Sequence, residues 1–286
     1  MAGALGAACT YAGGLAQFYK SGSVIKRVNA GKAAESGVIS ALLTQGNVWG
    51  PRDILEGKEA GFFRAFSDKP DPSRVTEDLG KRYRLLEVST KVHAGAGRLQ
   101  ASNDAGLVLS SENRLTPEQI TDAEVGIPKV IVGMLTQQDP NDMQSAMLSV
   151  PFSLAMALAL GRTRGPAAGI TPADYDNLIG DPAVRALAMR VRCVVDPDIE
   201  ARTNTEEVPS RVTLKLADGR TVEAKVDHPR GSPHRPMSWN DISALFRDTV
   251  AGDLPAPAIE KTIDVIAGLD GKSTVRDMTA AFVAKP

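Results

Sequence analysis

The strongest local signal in the chain is the segment Arg211-Val-Thr-Leu-Lys-Leu-Ala-Asp-Gly-Arg-Thr-Val-Glu-Ala-Lys-Val226. Apolar and polar residues alternate on both sides of Asp218-Gly219, and a period of two is that of a half-buried strand. Asp-Gly between two such runs is the preferred sequence of a two-residue hairpin turn. The segment therefore predicts a β-hairpin, and with it a sheet in the second half of the chain.

Helical signals lie on both sides of this hairpin, with two further strand signals before it. We predict helices near residues 33–45, 53–56, 147–160, 258–269 and 274–283, another helix capped by Ser238, and strands over 121–127 and 190–195. Thr116-Pro117-Glu118-Gln119 reads as a capping box with Pro at the first helical position, so a helix start is predicted there as well.

The order of these elements is helical, then mixed, then helical again, which predicts an α+β fold. We expect an all-helical domain that is split in the sequence into residues 1–66 and 235–286, with an α/β lid domain over 91–234 inserted between the two parts. Residues 67–90, which include Pro70 and Pro72, are the predicted linker or hinge.

The composition of the chain limits the kinds of partner that we expect it to bind. Lys plus Arg number 33 against 34 for Asp plus Glu, and this balance lacks the basic excess of a protein that neutralises nucleic-acid phosphates. Cys9 and Cys193 are too far apart for a metal-ligand motif and predict a reducing compartment. The opening residues lack a basic signal-peptide region, and the apolar run at 147–160 is too short to cross a membrane. We therefore expect a cytoplasmic protein with no membrane or nucleic-acid partner.

Three segments of the chain form a recognisable series. The first runs from Leu5-Gly6 to Lys26-Arg-Val-Asn-Ala-Gly-Lys-Ala-Ala34, the second is Gly50-Pro-Arg-Asp-Ile-Leu-Glu-Gly57 with Gly61-Phe62, and the third is the tail from the hairpin to Trp239. In this order the three segments resemble the MmgE/PrpD family. The resemblance implies a lyase or isomerase that acts on a small polycarboxylate, as in 2-methylcitrate dehydration, cis-aconitate decarboxylation or iminodisuccinate epimerisation. It implies no metal and no organic cofactor. It also implies a homodimer, and a leading helical segment of the family that this chain lacks.

Reactions of this kind need cations that hold the carboxylates of the substrate. Lys26, in the first resembling segment, and Lys91, which heads the run Lys91-Val-His-Ala-Gly-Ala-Gly-Arg-Leu-Gln100, are the predicted carboxylate clamps. The resemblance gives Lys91 a catalytic role as well. Each lysine could also be an ordinary solvated side chain. The central hypothesis is that the two ammonium groups converge on one ligand.

The chain departs from the family at four positions. Ala96 and Gln100 stand where the family carries Cys or His and then His, Asn29 stands for a His, and Phe152 for a Tyr. An amide can hydrogen-bond a substrate but has no useful pKa, so Gln100 and Asn29 are predicted substrate-binding residues that cannot transfer a proton. Phe152 is expected to support the site by packing.

Three other side chains near Lys91 complete the predicted site. His93 is the candidate acid or base, since imidazole titrates near neutral pH, and a His packed at a domain junction is the competing interpretation. Arg98 is a candidate for gripping a carboxylate with two hydrogen bonds, or else a solvated charge. Asp104 is expected to act as a supporting carboxylate rather than as a base.

Two functions of different classes follow. The first is a lyase of the dehydratase type, or an isomerase, that removes a proton next to a carboxylate. The second is a catalytically impaired or truncated family member that serves as a binding or subunit-packing module. The substitutions at residues 29, 96, 100 and 152 favour the second, and the pair of lysines favours the first.

Overall fold

The computed structural model describes residues 1–18, 25–203 and 208–281. The chain divides between Leu86 and Glu87 into two units, which we call unit 1 and unit 2 and describe separately. Helices and a four-stranded sheet are both present, so the predicted α+β class is confirmed. The division falls among residues 67–90, and the return of 235–286 to the first helical domain stays a prediction.

Unit 1 consists, in its described residues, of helices joined by turns and irregular segments, without a strand. Its helices are α1 (Ala2–Thr10), α2 (Lys26–Gln45), α3 (Phe62–Phe66) and α4 (Ser73–Thr76), and a 3₁₀ turn spans Arg84–Glu87. The predicted helix at 33–45 thus begins earlier, at Lys26, and ends as expected before Gly46. The predicted helix at 53–56 is wrong. Those residues form turns, and the carbonyls of Ile54 and Leu55 accept hydrogen bonds from the amides of Phe62 and Phe63.

Small residues of α1 allow a close approach to the turn at residues 49–51. A Cβ atom on Gly6 would lie 2.1 Å from the carbonyl oxygen of Pro51, and one on Gly50 would lie 2.2 Å from the amide nitrogen of Ala7. The amide of Gly50 donates to the carbonyl of Gly3 over 3.0 Å. Glycine is therefore required on both sides of this contact, where any side chain would force the backbones apart.

Unit 2 contains the sheet and the remaining helices. The helices are α5 (Gln100–Asn113), α6 (Met143–Ala146), α7 (Val150–Arg164), α8 (Pro172–Leu178), α9 (Pro182–Ala188), α10 (Pro197–Arg202), α11 (Trp239–Val250), α12 (Ala256–Ala267) and α13 (Val275–Ala281), and the strands are β1 (Ile120–Ile127), β2 (Val191–Val195), β3 (Ser210–Leu216) and β4 (Thr221–Val226). Short 3₁₀ turns occupy Gly97–Leu99, Pro117–Gln119 and Lys129–Ile131. The predicted helices near 147–160, 258–269 and 274–283, the one capped by Ser238, and both predicted strands are confirmed.

The predicted capping box and helix start at Thr116 are confirmed, with Pro117 at the first helical position, but the helix is only a 3₁₀ turn, Pro117–Gln119. The amide of Thr116 donates to the Oε1 atom of Gln119 over 2.9 Å, as a capping box requires, yet the turn ends at Gln119 and β1 follows at once. Ala123, Val125 and Ile127 are buried on the covered face of the sheet. Burial of this alternating run outweighs the local signal for a helix.

The strands are ordered β2-β1-β3-β4. β1 and β2 are parallel, whereas β1–β3 and the hairpin β3–β4 are antiparallel. The hairpin pairs Val212 with Ala224 and Leu214 with Val222, as the alternation in the sequence predicts. α5 packs against β3 and β4, and α7 packs against β2 and against α5. The core of unit 2 thus lies between this helix pair and one face of the sheet.

No described helix is both long enough and apolar enough to cross a lipid bilayer. Cys9 and Cys193 are both free thiols.

Candidate functional site

The segment from Lys91 to Ala96, which we call the Lys91 loop, leads into α5 through the 3₁₀ turn Gly97–Leu99. Lys91 is exposed, and its Nζ atom donates to the carbonyl of Gly95 over 2.9 Å. Gly95 has a φ of +117°, and a Cβ atom there would lie 2.7 Å from the carbonyl oxygen of Met147. The loop therefore needs glycine at this position in order to fold back under the ammonium group.

Gln100, the first residue of α5, ties the Lys91 loop to the helix. Its Oε1 atom accepts from the amides of Val92 (3.0 Å) and His93 (2.9 Å), and its Nε2 atom donates to the carbonyls of His93 (2.9 Å) and Ala96 (3.4 Å). These four bonds use the full hydrogen-bonding capacity of an amide. The predicted contact of Gln100 with substrate is therefore not supported by this geometry, because the side chain holds the loop instead.

His93 and Asp104 form a buried pair one turn further along α5. The Nε2 atom of His93 lies 3.0 Å from Oδ1 of Asp104, and the two residues are only 1% and 4% exposed. Because the carboxylate accepts, Nε2 carries the proton. The Nδ1 atom is buried and has no hydrogen-bond partner in the part of the chain that the structure describes. An acid or base must come within hydrogen-bond reach of its substrate, and this imidazole presents no exposed edge. In this geometry His93 supports the backbone of the Lys91 loop, and its role as an acid or base stays a prediction.

Asp104 also contacts the loop that follows the hairpin. Its Oδ2 atom accepts from the backbone amide of Arg230 over 2.7 Å and lies 3.7 Å from a guanidinium nitrogen of Arg235. Burial raises the pKa of the Asp104 carboxyl. The hydrogen bond and charge of His93, the Arg230 amide and the Arg235 charge together outweigh that effect and hold its pKa below the ordinary value of 3.8. Asp104 is therefore an ionised carboxylate at neutral pH.

Tyr175 holds the middle of the Lys91 loop from the other side. Its hydroxyl donates to the carbonyl of Ala94 over 3.1 Å and lies 2.7 Å from the Oγ atom of Ser153, and burial raises its pKa to about 12. Phe152 is fully buried, with its ring centroid 6.5 Å from that of Tyr175. Phe152 thus packs against the residue that braces the loop. Tyr175 escaped the sequence analysis because it lies 81 residues from Ala94 and no motif marks it.

The other candidates in unit 2 lie at its surface. Arg98 is exposed, and its guanidinium lies 3.8 Å from the sulfur of Met134. His228 and His234, in the loop after the hairpin, are also exposed, with ring centroids 4.3 Å apart. Among the described residues, no group of three or more His, Cys, Asp or Glu side chains is arranged to hold a metal ion.

Lys26 and Asn29 both lie in unit 1, on the first turn of α2. Asn29 lines a pocket of about 440 Å³ together with Lys32 of the same helix and with Phe62 and Phe66 of α3. Lys32 forms an exposed ion pair with Glu35 over 2.8 Å. The residues predicted as one site thus form two groups. Lys91, His93, Gln100 and Asp104 meet at one junction in unit 2, and Lys26 and Asn29 share a helix end in unit 1.

Comparison with known proteins identifies related chains. The chain is similar to the cis-aconitate decarboxylase-like protein oryM of Aspergillus oryzae, with 22% identity over 97% of this chain and 58% of the relative. It is also similar to cis-aconitate decarboxylase of Aspergillus terreus, with 27% identity over 94% of this chain and 56% of the relative. The chain therefore spans a little over half the length of these curated relatives.

Two family profiles match as well. The MmgE/PrpD N-terminal domain matches residues 1–75, and the MmgE/PrpD C-terminal domain matches residues 93–271. The second match alone covers more than half of the 286 residues and includes His93, Asp104 and the whole sheet. The chain belongs to the MmgE/PrpD family.

Proposed function

We propose that this protein carries lyase chemistry on a small di- or tricarboxylate, with proton transfer at a carbon next to a carboxylate. Cis-aconitate is the first substrate to test, because relatives that align with almost the whole chain are named cis-aconitate decarboxylase or cis-aconitate decarboxylase-like protein. The observation that carries the proposal is the Lys91 loop, which presents an exposed ammonium group on a backbone held by Gln100, His93 and Tyr175.

An ammonium group held in place is suited to bind a carboxylate. Two opposite charges about 4 Å apart attract by about 4 kcal/mol at an effective dielectric constant of 20. The backbone under Lys91 is fixed by hydrogen bonds to Gln100 and Tyr175, so less ordering is needed when a ligand binds. Lys91 is therefore the proposed carboxylate clamp of unit 2.

The same ammonium group suits the chemical step. In a decarboxylation the bond from carbon to one carboxylate breaks, CO₂ leaves, and the electron pair that stays behind takes up a proton. A cation beside the remaining carboxylates stabilises the charge that develops, and an ammonium proton can be delivered to carbon. We assign both roles to Lys91. His93 supports this residue rather than touching the substrate, because it is buried.

Lys26 and Asn29 stay the predicted substrate-binding residues of unit 1. Both lie on the first turn of α2, and Asn29 lines the 440 Å³ pocket. An ammonium group and an amide donor on one helical turn are suited to hold a carboxylate. Within unit 2, Arg98 is exposed and is the weaker candidate for a second carboxylate contact beside Lys91.

Solvent isotope incorporation tests the proposed function. The purified chain is incubated in D₂O with cis-aconitate, 2-methylcitrate or iminodisuccinate, and products and deuterium at carbon are followed by NMR and mass spectrometry. We expect loss of cis-aconitate with one deuterium per product molecule, at a rate above that of the protein-free control. If all three acids bind and none exchanges or reacts, the protein is a binding module and the lyase proposal fails.

A further inference from the structure

The carboxylate of Asp104 closes a ring of contacts that contains Lys91. Its Oδ1 atom binds Nε2 of His93 (3.0 Å), and its Oδ2 atom binds the amide of Arg230 (2.7 Å). The next residue, Gly231, accepts from the amide of Thr90 over 2.8 Å. From Thr90 the chain runs through Lys91 and Val92 back to His93. We call this circuit, Asp104 to Arg230–Gly231 to Thr90–His93, the Asp104 ring.

Two backbone segments of the Asp104 ring, at Thr90 and at Gly231, lie in close contact. A Cβ atom on Gly231 would lie 2.0 Å from the carbonyl oxygen of Thr90, and the φ of Gly231 is +86°. Both carboxylate oxygens of Asp104 are engaged, and the residue is 4% exposed. A buried carboxylate is costly unless each oxygen is paired, and here the bonds to His93 and Arg230 offset that cost. The contacts of the Asp104 ring fix the backbone on both sides of Lys91, at Thr90 and at His93.

We propose that Asp104 is a positioning residue for Lys91, acting through His93 on one side and through Arg230 and Gly231 on the other. This inference rests on the proposed role of Lys91 as the carboxylate clamp. Asp104 does not touch the substrate. It sets the path of the backbone that carries the ammonium group, and a displacement of about 1 Å at a catalytic group can lower a rate by about 100-fold.

Substitution of Asp104 by Asn is the primary test. Asn keeps the size of the side chain and one acceptor oxygen, but it loses the charge. Its N–H₂ faces Nε2 of His93, so both bonds of the ring persist only if His93 moves its proton to the buried Nδ1 atom, which has no acceptor among the described residues. We expect Asp104→Asn to lower kcat/KM for cis-aconitate by about 10- to 100-fold. Asp176→Asn, the same change on an exposed carboxylate of α8, is the control and should leave kcat/KM unchanged.

A double-mutant cycle separates positioning from a general structural role. If Asp104 acts through Lys91, then adding Asp104→Asn to Lys91→Ala causes no further loss of kcat/KM. If the double variant instead loses activity by the full factor seen for Asp104→Asn alone, Asp104 does not work through Lys91 and the proposal is overturned.

His93 supplies an independent pair of variants should Asp104→Asn fold poorly. Gln places an amide donor near the position of Nε2 and can still bind Asp104, whereas Leu cannot. We expect His93→Gln to stay within about 3-fold of the wild-type kcat/KM and His93→Leu to resemble Asp104→Asn. Equal activity of His93→Gln and His93→Leu would contradict the inference.

Amide hydrogen exchange tests the positioning role of Asp104 without relying on the proposed function. The amides of Thr90 and His93 are hydrogen-bonded within or beside the ring, and we expect both to exchange faster in Asp104→Asn while those of β3 do not change. This measurement needs no turnover. If the wild type turns over none of the acids, the proposed function fails, and the exchange rates alone decide whether Asp104 holds the loop. Unchanged exchange at both amides would overturn the inference.

Discussion

Lys91→Ala is expected to weaken the binding of cis-aconitate by about 1.5–3 kcal/mol, which is roughly a 10- to 150-fold rise in Kd. The variant removes a charged hydrogen-bond donor from a loop whose backbone stays fixed by Gln100 and Tyr175. We therefore attribute the expected rise in Kd to the loss of the ammonium group and not to a change in the loop backbone. Isothermal titration calorimetry of the wild type and the variant measures it, and turnover should fall at least as far.

Two further variants make this result specific. Lys129→Ala removes an equally exposed lysine of unit 2 from the 3₁₀ turn Lys129–Ile131, and Kd should stay within about 2-fold of the wild type, as for most surface substitutions. Lys91→Arg keeps the charge but changes the shape of the donor, so binding should fall less than in Lys91→Ala. Equal affinity of the wild type and Lys91→Ala would remove Lys91 from the site.

Gly161→Ala is expected to destabilise unit 2 by about 1–3 kcal/mol, although Ala is the better helix former by about 1 kcal/mol. Gly161 lies where α7 crosses α5. A Cβ atom there would lie 2.7 Å from the carbonyl oxygen of Leu107 and 2.9 Å from the Cβ atom of Ser110. The first contact is backbone, which cannot move without separating the two helices that cover the sheet. Urea denaturation followed by circular dichroism measures the change.

Gly37→Ala is the matched control for this substitution. Gly37 also lies inside a helix, α2, but among the described residues no atom outside its own helix and chain neighbours lies within 4 Å of a Cβ placed on it. Only the propensity gain should remain, so stability should be unchanged or higher by up to about 1 kcal/mol. Wild-type stability in Gly161→Ala would show that α5 and α7 are not packed as closely as described.

The parts of the fold that could be predicted from the sequence are those fixed by local patterns. The alternation around Asp218-Gly219 predicted both strands of the hairpin and their register, and Ser238 predicted the start of α11. The failures lie where tertiary contacts override a local signal. Gln119 completes a capping box, yet β1 follows because its apolar side chains are buried in the sheet.

The candidate site was predicted only in part, for a similar reason. Lys91, His93 and Asp104 lie close in the sequence, and the resemblance to the family drew attention to them. The amide of Arg230 lies 126 residues from Asp104, and no periodicity connects two such distant loops. Gln100 was predicted from its residue type to bind substrate. The coordinates show that its amide bonds the backbone of the Lys91 loop, a contact that no sequence pattern indicates, and the substrate contact stays a prediction.

The most direct test of the account is a crystal structure of this protein with tricarballylate, a saturated tricarboxylate of similar size to cis-aconitate. We predict a ligand carboxylate oxygen about 2.7–2.9 Å from the Nζ atom of Lys91, the distance of a charge-assisted hydrogen bond. A ligand bound with no carboxylate in contact with Lys91 would contradict the claim that this ammonium group is the clamp.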